Sequence, residues 1–526
     1  MKKTFDIYYT SDTHAKIFPV NYMTGERQNC GLMNIAAEID KSGNTLVLDG
    51  GDSLQGTPMI VYYLEHAEEF PYHPVAEAFN AMGLDYFTLG NHDFNFGYDV
   101  IKNYLHAMHG QCLAANVKDL RGELGIKPYV IHTLENGLRI GIVGVVTDYV
   151  NVWENPEHLT ELEVTDPIEA AENAYFAIAG ECDLTVLIYH GGYEEDLETG
   201  EKLTESRENV ACEMAKRTDF DLILTGHQHM PVEGISLYGT YSVQPPANAE
   251  KYLHLMARVD VPQAGAGNDK GEEALQGGFT EVSFTSKLRD VSEKTDRKLY
   301  ALLEDLEQKT EKWLDQPIGH FKEEILPEDK LEIALHGSKV AALFNQVQME
   351  SVECDFSCTS LGNNPIGFKE SVSIRDVYAA YAFANTSEVK EVTREILKEA
   401  LERCAQYLDL DANGNPYISD VFMKPKIEHY NYDFYAGLDY AFDLRKPVGE
   451  RVVRLAKLDG TELKDGETYR LVTSNYRATG TGGYEMIGQA PTVYSSADNV
   501  QDLLIDYIRK HPSLEIPENV KFEVLY

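Results

Sequence analysis

At 526 residues the chain is too long for a single hydrophobic core, so at least two domains are expected. Its 43% apolar and 25% charged residues are the composition of an ordinary globular protein. A formal net charge of −40 repels nucleic acid polymers and anionic membranes, which excludes both as expected partners and means that a phosphate site here needs local positive charge.

In chain order, Lys2 and Lys3 are not followed by the roughly 7–15-residue apolar region of a signal peptide. No run approaches the ~18 apolar residues of a membrane span. The expectation is a soluble, cytoplasmic protein, with export as the alternative for a chain trimmed of its leader. Residues 5–10 read as a strand that ends at Ser11-Asp12-Thr13-His14. Residues 32–40 have helical spacing, and Thr45-Leu46-Val47-Leu48 is a buried strand running into Asp49-Gly50-Gly51-Asp52. A helix over 75–82 precedes a strand (Tyr86, Phe87, Leu89) that breaks at Gly90 and then presents Asn91, His92 and Asp93. Leu138 to Val146 is a core strand, and 167–180 a helix. Leu184 to Tyr189 is a strand ending at His190, and Leu222-Ile223-Leu224 a strand ending at Thr225-Gly226-His227-Gln228-His229. Strands alternating with helices argue for an α/β domain.

Residues 261–278 read as a surface loop and 279–285 as one more strand. An amphipathic helix over 291–314 sits where an interdomain linker would, and Gln316-Pro317-Ile318-Gly319 breaks it. The second half, about 319–526, is rich in aromatics and turns and has no cluster of His and Asp. Seven scattered cysteines (30, 112, 182, 212, 354, 358, 404) form no framework and read as reduced thiols, and the Cys354/Cys358 pair lacks the companions of a zinc site.

The chemistry gathers at five strand ends: Asp12 with His14, Asp52, Asn91 with His92, His190, and His227 with His229. In a parallel-type sheet such ends lie side by side, where sites of open α/β sheets form. Any one of these pairs alone is an ordinary turn, but their conjunction is not explained by packing. With His92 set apart, two carboxylates, one amide and four imidazoles fill two metal shells if one carboxylate bridges. Asp52 is the natural bridge, because Gly50-Gly51 lets the backbone come close. Oxygen and nitrogen donors without thiolate suit two divalent ions drawn from Mn, Zn, Fe or Co. Two such ions outweigh the two carboxylates and leave a cationic spot where a phosphate docks. Paired metals about 3.5–4 Å apart lower the pKa of bound water and hold attacking and leaving oxygens in line. His92 is left to face the substrate, stabilising its oxygens or protonating the leaving one.

Asp12-Thr13-His14, Gly51-Asp52, Gly90-Asn91-His92-Asp93, His190 and Gly226-His227-Gln228-His229 resemble the complete motif set of the calcineurin-like metallophosphoesterases. The tail resembles the C-terminal domain of the bacterial 5′-nucleotidase and 2′,3′-cyclic-nucleotide phosphodiesterase family. The resemblance covers nearly the whole chain. It implies one metal on Asp12, His14, Asp52 and His229 and a second on Asp52, Asn91, His190 and His227, with His92 as the catalytic histidine. It also implies a base clamp in the second domain, with Phe383 and Asn385 matching an aromatic-x-Asn motif and Tyr476 opening a Gly-rich segment. Stacking of this kind tolerates any base.

Three positions depart from the nucleotidase pattern. Asn95 stands where an Asp usually pairs with the catalytic histidine, no Arg stands around Asn364 to Phe368, and Gly482 occupies a position where some nucleotidases have Asp. Asn95, Asn475-Tyr476-Arg477-Ala478 and Asn431-Tyr432-Asp433 look more like the cyclic-phosphodiesterase branch. The expected architecture is a four-layer αββα metallophosphoesterase sandwich over 1–290, a linker helix over 291–316 and a second α/β, nucleotide-binding domain over 317–526, with substrate in the cleft between domains. The expected activity is hydrolysis of a small-molecule nucleotide (2′,3′-cyclic, 3′- or 5′-) by in-line attack of a metal-bound hydroxide. The alternatives are a UDP-sugar or thiosulfate-ester hydrolase of the same superfamily, or a nucleotide-binding protein without catalysis.

Overall fold

A computed structural model of the chain describes residues 2–203, 207–261, 281–383, 385–424, 427–511 and 513–526. The chain divides into two compact units, Met1–Thr310 and Glu311–Tyr526.

The first unit is built on β1 (Lys2–Thr10), β2 (Thr45–Asp49), β3 (Tyr86–Phe87), β4 (Gln111–Cys112), β5 (Tyr129–Thr133), β6 (Arg139–Val146), β7 (Leu184–His190), β8 (Leu222–Thr225), β9 (Val232–Leu237), β10 (Thr240–Gln244), β11 (Lys251–Asp260) and β12 (Glu281–Asp290). They form two six-stranded sheets, ordered β12-β11-β1-β2-β3-β4 and β9-β10-β8-β7-β6-β5. The run β1-β2-β3-β4 is parallel, as is β6-β7-β8-β10. The outer strands β11, β12, β9 and β5 are antiparallel to their neighbours.

Strand side chains alternate between faces, so a strand that is apolar throughout is buried on both. Ile140, Ile142, Val186, Ile188, Leu222 and Leu224 point into one core with Phe5, Ile7, Tyr9, Leu46 and Leu48 of the other sheet. Their odd-numbered neighbours Val143, Val145, Leu187, Tyr189 and Ile223 pack on Ile168, Ala171, Ala174 and Ile178 of the helix Pro167–Ile178 and on Ala211, Met214 and Ala215. Helices Pro58–Glu65, Pro74–Met82 and Gly97–Ala107 belong to the connections of the first sheet. The result is the αββα arrangement, with the parallel strands of both sheets delivering their carboxyl ends to one edge.

Several elements differ in extent from the sequence reading. The first helix is only Leu32–Ala36, and the helix expected from 291 begins at Arg297. Its start is set by the Asp296 carboxylate, which accepts the N–H groups of Lys298 and Leu299 at 2.8 and 2.9 Å, while Val291 is buried ahead of it. The strand expected over 279–285 runs over Glu281–Asp290, and the surface loop expected over 261–278 lies, apart from Val261, outside the described residues. The helix Arg297–Leu314 spans the point where the two units divide.

The second unit is also α/β. Its five-stranded sheet runs Asp433–Ala436, Phe356–Ser360, Thr468–Ser474, Thr386–Thr393, Thr492–Asn499. Helices Lys339–Ser351, Arg394–Ala405 and Val500–Lys510 bring apolar faces to it. All seven cysteines are free thiols. Among the described residues, no helix is long and apolar enough to cross a membrane.

Candidate metal centre

The segments after β1, β2, β3 and β8, together with His190 at the end of β7, carry the expected ligands, and most of these sit in the left-handed backbone region. Asp12 (φ 54°), His14 (φ 50°), Asp52 (φ 57°), His227 (φ 70°) and His229 (φ 56°) all sit there. Such a conformation is uncommon for residues with a Cβ and persists only where the surroundings impose it. Here the loops are zipped to each other: the N–H groups of Asp12, His14 and Ala15 donate to the carbonyls of Gly51, Asp52 and Ser53, each at 2.9 Å. Gly51 (φ 91°) and Gly90 let two loops touch, since a Cβ on Gly51 would strike the backbone of Gly90 and one on Gly90 would strike Asp52.

Asp93 ties this together. Its carboxylate accepts the backbone N–H groups of Asp52 (3.0 Å), Ser53 (2.8 Å), Leu54 (2.8 Å) and Gly90 (2.8 Å). Burial, with the Asp52 charge added, pushes its carboxyl up to about 6. Asp12 is oriented by the Ser11 hydroxyl (2.6 Å) and by the N–H of His227, shared between its two oxygens at 2.9 and 3.0 Å.

The seven expected ligands fall into two adjoining sets. Asp12, His14 and His229 form one, with His14 Nε2 3.1 Å from His229 Nε2 and His229 Nε2 3.4 Å from Asp12 Oδ1. Asp52, His190 and His227 form the other. Asn91 Oδ1 joins it, 3.1 Å from His190 Nε2 and 2.9 Å from His227 Nδ1, and Asp52 Oδ2 lies 3.3 Å from His190 Nε2. Asp52, Asp12 and His190 are almost wholly buried, and His229 is the most exposed of the seven.

The remaining imidazole nitrogens decide what these sets accept. His14 Nδ1 donates to the Gln55 carbonyl (2.9 Å), His190 Nδ1 to the Gly50 carbonyl (2.7 Å), and His227 Nε2 to Glu208 Oε1 (2.9 Å). With those protons committed outward, His190 Nε2, His227 Nδ1, Asn91 Oδ1 and Asp52 Oδ2 all turn lone pairs toward one point. These four groups repel unless a cation lies between them, either a metal ion or, with none bound, the extra proton that the raised His190 imidazole carries on Nε2. Outward N–H bonds of this kind are what metal-ligating histidines make. The donor set therefore fits divalent metal ions. The field agrees: burial alone would lower the His190 imidazole, and the Asp52 and Asp12 carboxylates instead raise it to about 10. Asp12, despite burial, is held at about 2 by His229 and His190. His14, buried with His229 and His92 as neighbours, falls to about 4.

His92 stands apart from the ligands. Its backbone N–H donates to Asp52 Oδ1 at 2.7 Å, its ring lies edge-on to His14 with centroids 5.6 Å apart, and its Nδ1 is 2.8 Å from Asn95 Oδ1. Glu208, Glu154 and the carbonyls of Gly50 and Gln55 are functional neighbours that the sequence reading does not include. Trp153, also unanticipated, stacks its ring on His227 with centroids 5.3 Å apart.

In the second unit, Phe383 and Tyr476 are half-buried, and Tyr430 lies near both. The Phe383 and Tyr430 rings are 6.5 Å apart. Burial raises the Tyr476 hydroxyl against the opposing pull of the neighbouring Arg477 guanidinium. Asn385 Nδ2 donates to the Tyr381 hydroxyl at 3.4 Å. Arg477, next to Tyr476, is turned inward and pairs with Asp433, Nε to Oδ2 at 2.8 Å, both side chains 2% exposed. Its guanidinium also lies 3.9 Å from the Tyr484 ring centroid and donates to the Thr481 carbonyl. The Asn-Tyr-Arg-Ala and Asn-Tyr-Asp segments are thus joined by a buried ion pair that fixes the Gly-rich turn. The loop that lacks an arginine receives a different cation, since Lys330 Nζ donates to the Gly362 carbonyl.

Comparison with known proteins gives a consistent picture. Residues 5–231 match the calcineurin-like phosphoesterase family, and residues 317–489 match the 5′-nucleotidase C-terminal domain. The chain is 25% identical to the trifunctional nucleotide phosphoesterase protein YfkN of Bacillus subtilis; the match covers 95% of this chain but only 37% of YfkN, so the chain spans about a third of that relative. It is 26% identical to the 2′,3′-cyclic-nucleotide 2′-phosphodiesterase/3′-nucleotidase of Haemophilus influenzae, covering 96% of this chain and 84% of the relative. A crystal structure of a proposed 5′-nucleotidase from Staphylococcus aureus superposes over 100% of both chains with a TM-score of 0.83 and 29% identity.

Proposed function

Since the chain belongs to the calcineurin-like phosphoesterases that carry a 5′-nucleotidase C-terminal domain, we propose that it is a divalent-metal-dependent hydrolase of nucleotide phosphoesters, with 2′,3′-cyclic and 3′-nucleotides ahead of 5′-nucleotides. The observation that carries the metal dependence is the convergence of His190 Nε2, His227 Nδ1, Asn91 Oδ1 and Asp52 Oδ2 on one point with their protons committed elsewhere.

Asp12, His14, Asp52 and His229 would hold one ion and Asp52, Asn91, His190 and His227 the other, with Asp52 shared. Mn, Zn, Fe or Co suits this oxygen and nitrogen set. Such a pair, when bound, supplies an activated water and neutralises phosphoryl charge. The chain's own residues do the rest. The Gly50 and Gln55 carbonyls and Glu208 each take one imidazole N–H, so the opposite nitrogens of His190, His14 and His227 already face the ligand sets. His92 meets the phosphoryl group and donates a proton toward the leaving oxygen. Phe383 and Tyr476 stack the base, and Asn385 holds Tyr381, whose ring lies edge-on to Phe383 with centroids 6.1 Å apart.

Asn95 next to His92 in place of a carboxylate supports the cyclic-phosphodiesterase preference. The test is hydrolysis of 2′,3′-cyclic AMP, 3′-AMP and 5′-AMP side by side, with Mn²⁺ and with chelator. Ring opening of the cyclic substrate, lost with chelator, is the expected outcome. Preference for 5′-AMP would overturn the branch assignment. Binding of nucleotide without phosphate release would overturn catalysis, and activity confined to UDP-sugars or a thiosulfate ester would overturn the substrate class.

A further inference from the structure

A chain of hydrogen bonds leaves the site behind His92. Asn95 presents Oδ1 to His92 Nδ1 at 2.8 Å, and its Nδ2 donates to Glu154 Oε2 at 2.8 Å. The other oxygen of Glu154 accepts the Asn155 backbone N–H at 2.7 Å and His158 Nδ1 at 2.8 Å. The Glu154 side chain is 6% exposed. It directly follows the helical turn Val150–Trp153, whose Trp153 ring lies on His227. One short segment therefore touches both a metal-ligand histidine and the partner of His92.

The chemistry of the amide gives this chain a direction. A carboxylate only accepts, so Glu154 compels Asn95 to turn its NH₂ outward and its carbonyl oxygen toward His92. That oxygen also only accepts, so His92 Nδ1 must carry the proton, which leaves Nε2 as the nitrogen able to take up or release one. Without Glu154 the amide of Asn95 has no preferred sense, and the wrong tautomer of a catalytic histidine is costly.

We propose that Glu154 is a positioning residue for His92, holding it through Asn95 in the Nδ1–H tautomer and in one ring orientation, as a carboxylate at position 95 would do directly. This rests on the role given to His92 under the proposed function, but the tautomer itself is measurable without turnover.

The test is Glu154→Gln in the full-length, zinc-loaded protein. Asn155 N–H and His158 still need an acceptor, so the new amide keeps its oxygen on their side and turns its NH₂ to Asn95. Asn95 must then reverse and donate to His92 Nδ1. The expected result is a shift of His92 to the Nε2–H tautomer in a long-range ¹H–¹⁵N spectrum, assigned by difference against His92→Asn. For the preferred nucleotide, kcat falls by about 10- to 100-fold with KM held within about threefold. The double variant Asn95→Asp with Glu154→Gln places the carboxylate directly on His92, with the amide introduced at position 154 donating to it. Both the Nδ1–H tautomer and most of kcat should return. A Glu154→Gln protein that keeps Nδ1–H on His92 or keeps wild-type kcat overturns the proposal, as does a double variant that recovers neither. A wild type that hydrolyses no nucleotide overturns the proposed function instead, and leaves the tautomer measurement to decide the role of Glu154.

Discussion

Asp93 accepts the backbone N–H of Asp52 at 3.0 Å, so a carboxylate from the segment after β3 holds in place the residue proposed to be shared by two metal ions. The same side chain takes the N–H groups of Ser53, Leu54 and Gly90. Asp93 offers the metal nothing directly, yet it fixes the backbone that carries Asp52 in the left-handed region.

Asp93→Asn should therefore be severe. An amide keeps one acceptor oxygen and turns an NH₂ group on two of the four backbone donors. Losing charge-assisted bonds to buried N–H groups costs about 1.5–3 kcal/mol each, so a loss of about 3 kcal/mol or more is expected. The check is urea unfolding together with metal content by elemental analysis. A variant with wild-type stability and full metal content would show that the loops hold without it.

Gly51→Ala tests the same junction from the backbone. Position 51 has φ 91°, and its Cβ would collide with Gly90 backbone atoms rather than with a side chain able to move. The expected loss is about 1–3 kcal/mol with a matching fall in metal affinity, read from the metal concentration needed for half-maximal thermal stabilisation. Gly25→Ala, at a similar φ of 71° but with open space around it, is the control for backbone strain alone.

What was legible in the sequence follows from the chemistry. Asp12, His14, Asp52, Asn91, His190, His227 and His229 stand out because polar residues of ligand type rarely end apolar strands, and the structure brings all seven together. The groups behind them were not legible for definite reasons. Gly50 and Gln55 act through carbonyls, which every residue has. Glu208 and Glu154 are ordinary acidic residues whose value comes from loops far away in sequence. The strand Gln111–Cys112 is too short to show a period of two. The helix start at Arg297 was hidden because Val291 continues the apolar pattern although Asp296 supplies the cap.

His73 predicts an acid-sensitive step unrelated to catalysis. It is 5% exposed between Tyr63 and Tyr104, and burial drives its imidazole down to about 4. In the unfolded chain it titrates near 6.5. Above about pH 6.5 both states are neutral there and nothing is lost. As pH falls from about 6.5 toward 4 only the unfolded state gains the proton, so stability drops; below about 4 the slope ends. The share lost between about pH 7 and 5 is about 2 kcal/mol. Urea midpoints of wild type and His73→Gln at both pH values should differ by that amount, with the variant the less acid-sensitive. Equal acid losses would mean that His73 does not sense pH.

Arg477 and Asp433 predict a strong coupling inside the second unit. Arg477→Met leaves a buried carboxylate with its main partner gone, and Asp433→Asn leaves a buried guanidinium. Each should cost about 3–5 kcal/mol, whereas the double variant should cost less than the sum of the two, because no charge is then left uncompensated. The Gly-rich turn after Tyr476 also loses its anchor in Arg477→Met, through the Thr481 carbonyl. Nucleotide affinity should fall with stability in the single variant if Tyr476 stacks the base. Additive stabilities would remove the pair from the account of this turn.

Metal stoichiometry separates a shared carboxylate from a terminal one. Asp52 Oδ2 faces His190, and Oδ1 is engaged by the His92 N–H at 2.7 Å. Its charge acts on His190 and His14 alike, members of opposite ligand sets. If Asp52 is shared, Asp52→Ala removes one ligand from each ion and the negative charge that lets two cations sit close, so both should be lost on dialysis and turnover should fall by about a thousand-fold or more. His190→Ala removes a ligand from one set only and should retain close to one equivalent. The two variants, dialysed together and assayed for metal and for phosphate release, give the answer directly. An Asp52→Ala protein that still holds two equivalents would show that the ions are bound without a shared carboxylate, and would leave Asp52 the smaller task of turning His190.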